Sequence, residues 1–426
     1  MTQNPFSAHF TKAKNILNPF DINKKEIIAS FSDQNEKIIY LDYASSTPVD
    51  LRVYRKMEPF QLEYFGNSSN FLHPMGEISK AALESSRQSI ASIFQVTPEE
   101  VIFTASATES NNLFLRGLLE NPLQKRKKIV YSVTEHSSIS ATVKILAENL
   151  GTRLHFEFCP LPVDKNGQII LEKAKEIIDD KTLCVCVMDV NNETGIIQGH
   201  LPEIEKLTHQ HGAFLHVDCV QGFARHNEIA LNIDFDSAVV GSSKIFGPKG
   251  AAALIVKKRR PRLLIDPQLT GGAQEYGMRA STVNVAAIVG FAEACRLQQQ
   301  ECALRLKHYE AMELAFMDEL SKNIDACYYG LDAPKIKGIL SLTIPNVNAM
   351  KLLENTKVVC ASVGSACKTL QATASHVILS MGVDLEQALA SFRVSFGLPT
   401  EEQEVRQAAK TLAKNAHELR KSSAWI

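Results

Sequence analysis

The sequence predicts an α/β protein: a large, doubly wound, mostly parallel sheet domain followed by a smaller α+β C-terminal domain. Three observations carry this expectation. Between Gly76 and Val256, short apolar runs alternate with helical stretches, the order that strand–helix–strand units leave in a chain. Polar residues able to do chemistry come directly after those runs, where open α/β sheets bind their ligands. Past Thr282 the pattern changes to one long helical stretch and then to shorter strand-like segments.

In chain order the apolar runs are Val101-Ile-Phe103, Ile129-Val-Tyr-Ser-Val133, Thr182 to Val187, Phe214 to Val217, Ala238-Val-Val240 and Ala251 to Val256. Their length and near-continuous apolar character suit strands covered on both faces. Thr104 to Asn112 follows the first run, Glu135-His136 the second, Asp189 to Glu193 the third, Asp218 the fourth and Lys244 the fifth, so five strand ends point at one site. Beyond them, Val283 to Asn323 is rich in Ala, Glu, Leu and Gln and predicts a long helix. Gly338-Ile-Leu-Ser-Leu-Thr343 reads as a strand, Cys360 to Thr369 as a loop, and Glu401 to Arg420 as a closing amphipathic helix. The expected organisation is an N-terminal extension over 1–38, a large domain over 53–282, and a small domain assembled from 39–52 and 283–426.

With 426 residues, 45% of them hydrophobic, the chain has ample material for a buried core. Its 46 basic and 47 acidic side chains leave a formal charge of −1, so no global field favours nucleic acid or anionic lipid, and any anion site must be local. Met1 to Ile38 is polar and mixed in charge, and no segment reaches the roughly 20 apolar residues of a membrane span. A soluble cytoplasmic protein is expected. A transit peptide is the alternative, because Lys12 and Lys14 precede the first acid, Asp21, although the segment has no arginine. The nine cysteines include no Cys-x-x-Cys pair and no cluster at metal spacing, so neither a disulfide framework nor a metal site is expected. Cys184 and Cys186 alternate within Leu183-Cys-Val-Cys-Val-Met188 and read as small hydrophobes in a buried strand.

Lys244 stands in Gly241-Ser-Ser-Lys-Ile-Phe-Gly-Pro-Lys-Gly250 after one apolar strand, downstream of Asp218-Cys-Val-Gln221 at the end of another. That spacing suits pyridoxal phosphate, which needs an amine for its aldehyde, a carboxylate to keep its pyridine nitrogen protonated, and donors for its phosphate. Further motifs widen the match: Tyr40-Leu-Asp-Tyr-Ala-Ser-Ser-Thr-Pro48, Ala107-Thr-Glu-Ser-Asn-Asn112, Thr134-Glu-His136, Val190-Asn-Asn-Glu-Thr-Gly195, His216-Val-Asp218, Gly277-Met-Arg279 and Gly364-Ser-Ala-Cys367. Together these residues resemble the cysteine desulfurase group, the class V aminotransferase-like, fold-type I pyridoxal-phosphate enzymes that include selenocysteine lyase.

The resemblance runs from Tyr40 to about Gly397 and implies a role for each candidate. Lys244 forms the Schiff base with the cofactor, Asp218 pairs with the pyridinium nitrogen, and Gln221 donates to the ring hydroxyl oxygen. Asn192 adds a contact near that part of the ring and the substrate. His136 stacks on the ring and helps proton transfer, while Ala107 and Thr108 belong to the phosphate loop, where helix-start N–H groups suit a dianion. Thr282 reaches the phosphate of a neighbouring subunit, which implies a homodimer. Arg393 grips the substrate carboxylate, for which a guanidinium fork has the right geometry. Cys367, on a loop of the small domain, takes the sulfur of L-cysteine as a persulfide, leaving L-alanine, and passes it to an acceptor protein or small thiol. Gly364, Ser365 and Ala366 leave that loop free to carry the sulfur, Lys368 favours the thiolate, and Cys360 is the rival thiol, read as a packed strand-end residue.

Departures from the family pattern cluster around the phosphate. Ser243 stands where a histidine is usual and Gly241 where a serine is typical; Ser242 and Ser243 are the candidate replacement donors. Ser106 replaces a glycine, Gln274 a histidine, Tyr276 an arginine, Asn284 a proline, and Leu398 an arginine. The chain ends at Ile426, short of the extension that housekeeping desulfurases use to dock an iron–sulfur scaffold, so delivery to that scaffold is not expected. Three readings follow. The first is cysteine desulfurase; the second is selenocysteine lyase, separable by comparing alanine release from the two substrates. The third is a weakly active or inactive relative with a binding or regulatory role, which a visible band of lysine-bound cofactor would argue against.

Overall fold

Strands that are apolar along their whole length need cover on both faces, and this chain folds its helices to provide it. The computed structural model describes residues 37–151, 155–226, 232–364 and 374–421. After β1 (Ile39–Tyr40) come β2 (Val101–Thr104), β3 (Lys128–Ser132), β4 (Glu157–Leu161), β5 (Thr182–Met188), β6 (Phe214–Asp218), β7 (Ser237–Gly241) and β8 (Ala252–Val256). All but β1 join one seven-stranded sheet in the order β2-β8-β7-β6-β5-β3-β4. The pairs β7–β6, β6–β5, β5–β3 and β3–β4 are parallel, whereas β8 runs against both β2 and β7. Because β2 and β7 both oppose β8, they point the same way as the parallel strands. The carboxyl ends of β2, β3, β5, β6 and β7 therefore share one edge.

Every residue of β5 is buried, including Cys184 and Cys186. The neighbouring Cys184 thiol, together with burial, pushes the Cys186 thiol well above its usual range, which makes it an inert packing residue. The sequence reading has no strand at β4. That strand lies at the sheet edge, carries Pro160 and is partly exposed, and an edge is where a strand tolerates proline.

The remaining strands are β9 (Cys327–Tyr328), β10 (Ile339–Thr343), β11 (Val359–Cys360) and β12 (Ser391–Ser395). They form an antiparallel sheet β12-β10-β9 and a parallel pair β1-β11. The closing helix, Glu402–Lys421, buries Val405, Ala408, Leu412 and Ala416 in a core that also holds Ile39, Leu340 and Val394, so the start of the described chain packs with its end. The helix Val285–Ser321 joins the two cores: Ile288 and Phe291 pack under the large sheet, Phe316 and Leu320 under the small one. At a rise of about 1.5 Å per residue its 37 residues are long enough to cross both. Asn284, at the position of a usual proline, caps this helix by accepting from the Ala287 N–H at 3.1 Å. Among the described residues, no helix is long and apolar enough to cross a membrane.

Candidate active site

At the shared strand edge lies a cavity of about 420 Å³. Ala107, Thr108, His136, Asn192, Asp218, Gln221, Ser243, Lys244 and Arg393 all line it, together with the strap Ala44 to Ser46 that follows β1. Residues from five strand ends thus meet at one site, as the sequence reading expects. Thr282 does not join them: it is exposed in a separate depression with Leu269, Gly271 and Gln274.

Lys244 closes a single 3₁₀ turn, Ser242–Lys244, directly after β7. The strap holds that turn: Thr47 donates its N–H at 3.1 Å and its hydroxyl at 3.0 Å to the Ser243 carbonyl, and accepts from the Phe246 N–H at 3.0 Å. The last bond helps fix Phe246 in the left-handed region, φ 64°, which costs a non-glycine residue about 1–2 kcal/mol. Lys244 Nζ donates to the Ser45 carbonyl. The two replacement donors part company. Ser243 lines the cavity, whereas the buried Ser242 hydroxyl does not line it and packs under Gly247, where an added Cβ would lie 2.1 Å from Oγ.

Asp218 ends β6 and is buried. Its Oδ1 accepts from the Val220 N–H at 3.1 Å and its Oδ2 from Asn111 Nδ2 at 2.9 Å. Asn111 also donates to Ser138 Oγ at 2.8 Å, so its Oδ1 is left to accept from His216 Nε2 at 3.0 Å. His216 Nδ1 in turn accepts from the Ser237 hydroxyl at 3.1 Å. Burial pushes His216 down to about 3, so it is a neutral ring, stacked on Phe114 at 3.8 Å. Asn111 and His216 lie inside motifs that the sequence displays, but sequence reasoning gives them no role, because nothing local says that Asn111 reaches His216 across 105 positions.

His136 caps the helix Ser137–Leu146, its Nδ1 accepting from the Ser138 N–H at 3.1 Å. Burial lowers its pKa, although Asp218 works the other way, so the neutral ring with its hydrogen on Nε2 prevails at neutral pH. On the phosphate side, Ser106 caps the helix Ala107–Glu120 by accepting from the Glu109 N–H at 3.1 Å, a role the usual glycine would leave to water. Arg279 of the Gly277-Met-Arg279 motif bonds Glu109 at 2.7 Å and so braces the same helix start. Gln221 donates through Nε2 to the Ala44 carbonyl at 3.0 Å, and its buried Oε1 has no partner.

Arg393 lies on β12 with its guanidinium buried in the cavity wall. Nη1 donates to the Asn192 carbonyl at 2.8 Å; Nη2 donates to Asp42 Oδ1 at 2.7 Å and to Ser45 Oγ at 2.6 Å; Nε has no partner. Asn192 therefore contributes a carbonyl to the arginine as well as lining the cavity. Cys367, with Ser365, Ala366 and Lys368, lies outside the described residues. The residues bordering that stretch meet at Glu193, whose Oε2 accepts from Ser375 Oγ at 2.5 Å and lies 3.8 Å from where a Cβ on Gly364 would be. Cys360, the rival thiol, is half-buried on β11 and does not line the cavity; burial and Asp42 push its thiol up.

Two more carboxyls sit behind Asp218. Glu135 and Asp189 are fully buried, and burial followed by the charge of Asp218 holds both well above the usual carboxylate range. In the unfolded chain such a carboxyl ionises near 4, so the folded state keeps a proton the unfolded state has lost, and stability falls by up to about 1.4 kcal/mol per pH unit and group as pH rises above that value. Asp189→Asn removes one of these costs. Thermal melts from pH 4 to 8 should show the variant more stable at pH 7 and level with the native protein near pH 4; parallel curves would refute the assignment.

The residues present fit pyridoxal phosphate: a buried carboxyl for a ring nitrogen, the Lys244 amine in the wall for an aldehyde, and a helix N-terminus for a phosphate. Comparison with known proteins agrees. The aminotransferase class-V family profile matches residues 39–407. Cysteine desulfurase IscS of Rickettsia bellii (strain OSU 85-389) is 37% identical over 383 residues, covering 90% of this chain and 92% of that protein. Among solved structures, a NifS-like protein superposes with a TM-score of 0.80 at 28% identity, covering 88% of this chain and 98% of its own. A NifS-like protein from Rickettsia africae ESF-5 gives 0.76 at 27% identity, covering 89% and 99%.

Proposed function

The chain belongs to the class-V aminotransferase family, in its pyridoxal-phosphate-dependent cysteine desulfurase group, and from that premise we propose that it removes sulfur from L-cysteine, holds it on Cys367 and releases L-alanine. The observation that carries the proposal is the meeting of Lys244, Asp218, His136 and Arg393 in one cavity, beside the borders of the segment that bears Cys367. When bound, the cofactor draws electrons from the substrate Cα. Asp218 would hold its ring nitrogen, Gln221 its ring oxygen, and Ala107, Thr108 and Ser243 its phosphate.

Lys244 takes the proton from the substrate Cα with its amine, and Arg393 holds the substrate carboxylate. His136, neutral and protonated on Nε2, holds a hydrogen beside the reacting atoms. The Cys367 thiolate attacks the substrate sulfur; an S–S bond forms, the C–S bond breaks with its electron pair left on carbon, that carbon takes up a proton, and Lys244 returns the proton it took to Cα, so that alanine leaves. The persulfide then passes to an acceptor protein or small thiol.

Thr282, exposed and remote from the cavity of its own chain, supports a homodimer in which it reaches the phosphate of the other subunit. The proposed setting is the cytoplasm, where thiols stay reduced. The small domain, from 39–52 and 283–426, carries the sulfur-accepting loop. The test is a spectrum of the purified protein before and after adding cysteine, with alanine and persulfide measured in the same sample. Cys367→Ala should form no persulfide and release alanine about 10³-fold more slowly. Normal turnover by that variant would overturn the mechanism. Selenocysteine in the same assay decides between the two chalcogens.

A further inference from the structure

The guanidinium of Arg393 is already taken. Its side chain is 3% exposed, and a buried cation needs a partner whenever the site holds no substrate. Asp42 supplies one at 2.7 Å. Of the five N–H bonds a guanidinium offers, both on Nη2 are engaged, by Asp42 Oδ1 and Ser45 Oγ, and one on Nη1 by the Asn192 carbonyl. A carboxylate gripped through two parallel bonds must use Nη2, because the two forks are Nε with Nη2 and Nη1 with Nη2. A bidentate substrate carboxylate therefore has to displace Asp42 or Ser45.

We propose that Asp42 is an internal stand-in for the substrate carboxylate on Arg393, exchanged out when an amino acid binds, and that it sets the affinity of the site for α-carboxylates. The proposal rests on the reading of Arg393 as the substrate-carboxylate residue. Asp42 is a positioning residue, acting through Arg393 and not on the reacting atoms. Its Oδ1 also accepts from Ser45 Oγ at 2.8 Å, and the Ser45 carbonyl accepts from Lys244 Nζ. Release of Asp42 thus loosens the same strap that holds the reactive amine, so carboxylate recognition and the lysine share one hinge. With Asp42 in place, a simple anion must compete with a carboxylate fixed at full effective concentration, whereas an amino acid that also bonds through its amine can win.

The test uses the holoenzyme and propionate, a carboxylate with neither amine nor thiol, titrated by calorimetry, together with kcat and KM for cysteine. Asp42→Asn keeps the shape but removes the competing charge. Propionate should then bind about tenfold tighter, and KM for cysteine should fall by more than kcat changes. Ser45→Ala frees one Nη2 proton and should tighten propionate about twofold. Equal or weaker propionate binding by a normally melting Asp42→Asn would mean that Asp42 orients Arg393 instead of competing for it, and the proposal falls. Should that variant not fold, unchanged binding in Ser45→Ala overturns the proposal on its own. Arg393→Gln should bind no propionate; if it binds as well as the native protein, the Arg393 reading and this proposal fall together. If the native protein releases no alanine from cysteine, only the desulfurase reading is lost, and the propionate titration still decides the role of Asp42.

Discussion

Lys244→Ala is expected to lose alanine release by about 10³-fold or more while keeping its fold. The expected loss is chemical, because the amine proposed to handle the Cα proton is gone. The fold should survive because the lysine turn is held through its backbone: the Ser243 carbonyl by Thr47, the Phe246 N–H by Thr47 Oγ1, and the close approach of Gly247 to Ser242. Lys244→Arg separates charge from proton handling. It keeps a cation in the wall but cannot deprotonate near neutral pH, so it should be about as inactive as the alanine variant. Alanine measured over hours, alongside melting curves, checks both. Activity above about 1% of native in Lys244→Ala would remove this residue from the chemistry.

The largest expected loss of stability lies outside the cavity. Arg87 meets Glu275 through two parallel bonds, of 2.7 and 2.8 Å, with side chains 3% and 1% exposed, and the Phe103 N–H adds a third bond to the carboxylate at 2.7 Å. Breaking such a pair from one side costs about 3–5 kcal/mol, and the half-exposed Glu84, 3.2 Å from Arg87 Nε, remains to the guanidinium and keeps the loss at the low end of that range. Glu275→Gln should lower the denaturant midpoint accordingly, and a double change of Arg87 and Glu275 to leucine should cost less than the single one. Tyr276 explains part of the design. It stands where the family resemblance leads one to expect arginine, its ring lies 5.2 Å from the Arg87 guanidinium, and both it and Glu275 sit at positive φ, 57° and 49°. The ion pair holds that turn, and through it the segment carrying Thr282. An arginine at 276 would have put a second cation beside Arg87.

How far the sequence could be read depended on whether a residue's role is set by its near neighbours. The five strand ends were legible because apolar runs and the polar residues that follow them are local signals, and Lys244, Asp218 and His136 do meet in one cavity. The edge strand Glu157–Leu161 was not, since half-exposed positions and Pro160 erase both the alternation and the apolar run. Ser242 looked equivalent to Ser243, and only the turn geometry sends its hydroxyl beneath Gly247. Leu398 looked like the loss of an arginine; it is instead fully buried with Tyr43, Phe246 and Tyr309, a cluster drawn from positions far apart in sequence. Asp42 and Arg393 are separated by 351 positions, so no spacing rule could have joined them.

The chain of bonds from Asp218 through Asn111 and His216 to Ser237 has a spectroscopic consequence. His216 is sealed from solvent, neutral and aligned against Phe114, so the hydrogen on its Nε2 should exchange slowly and give a sharp, far-downfield proton resonance shifted by the ring beneath it. Any change in what Asp218 faces travels through one amide to that hydrogen. A single imidazole signal, followed by nuclear magnetic resonance during a titration with cofactor, would therefore register occupancy of the far side of Asp218 without a label and without turnover.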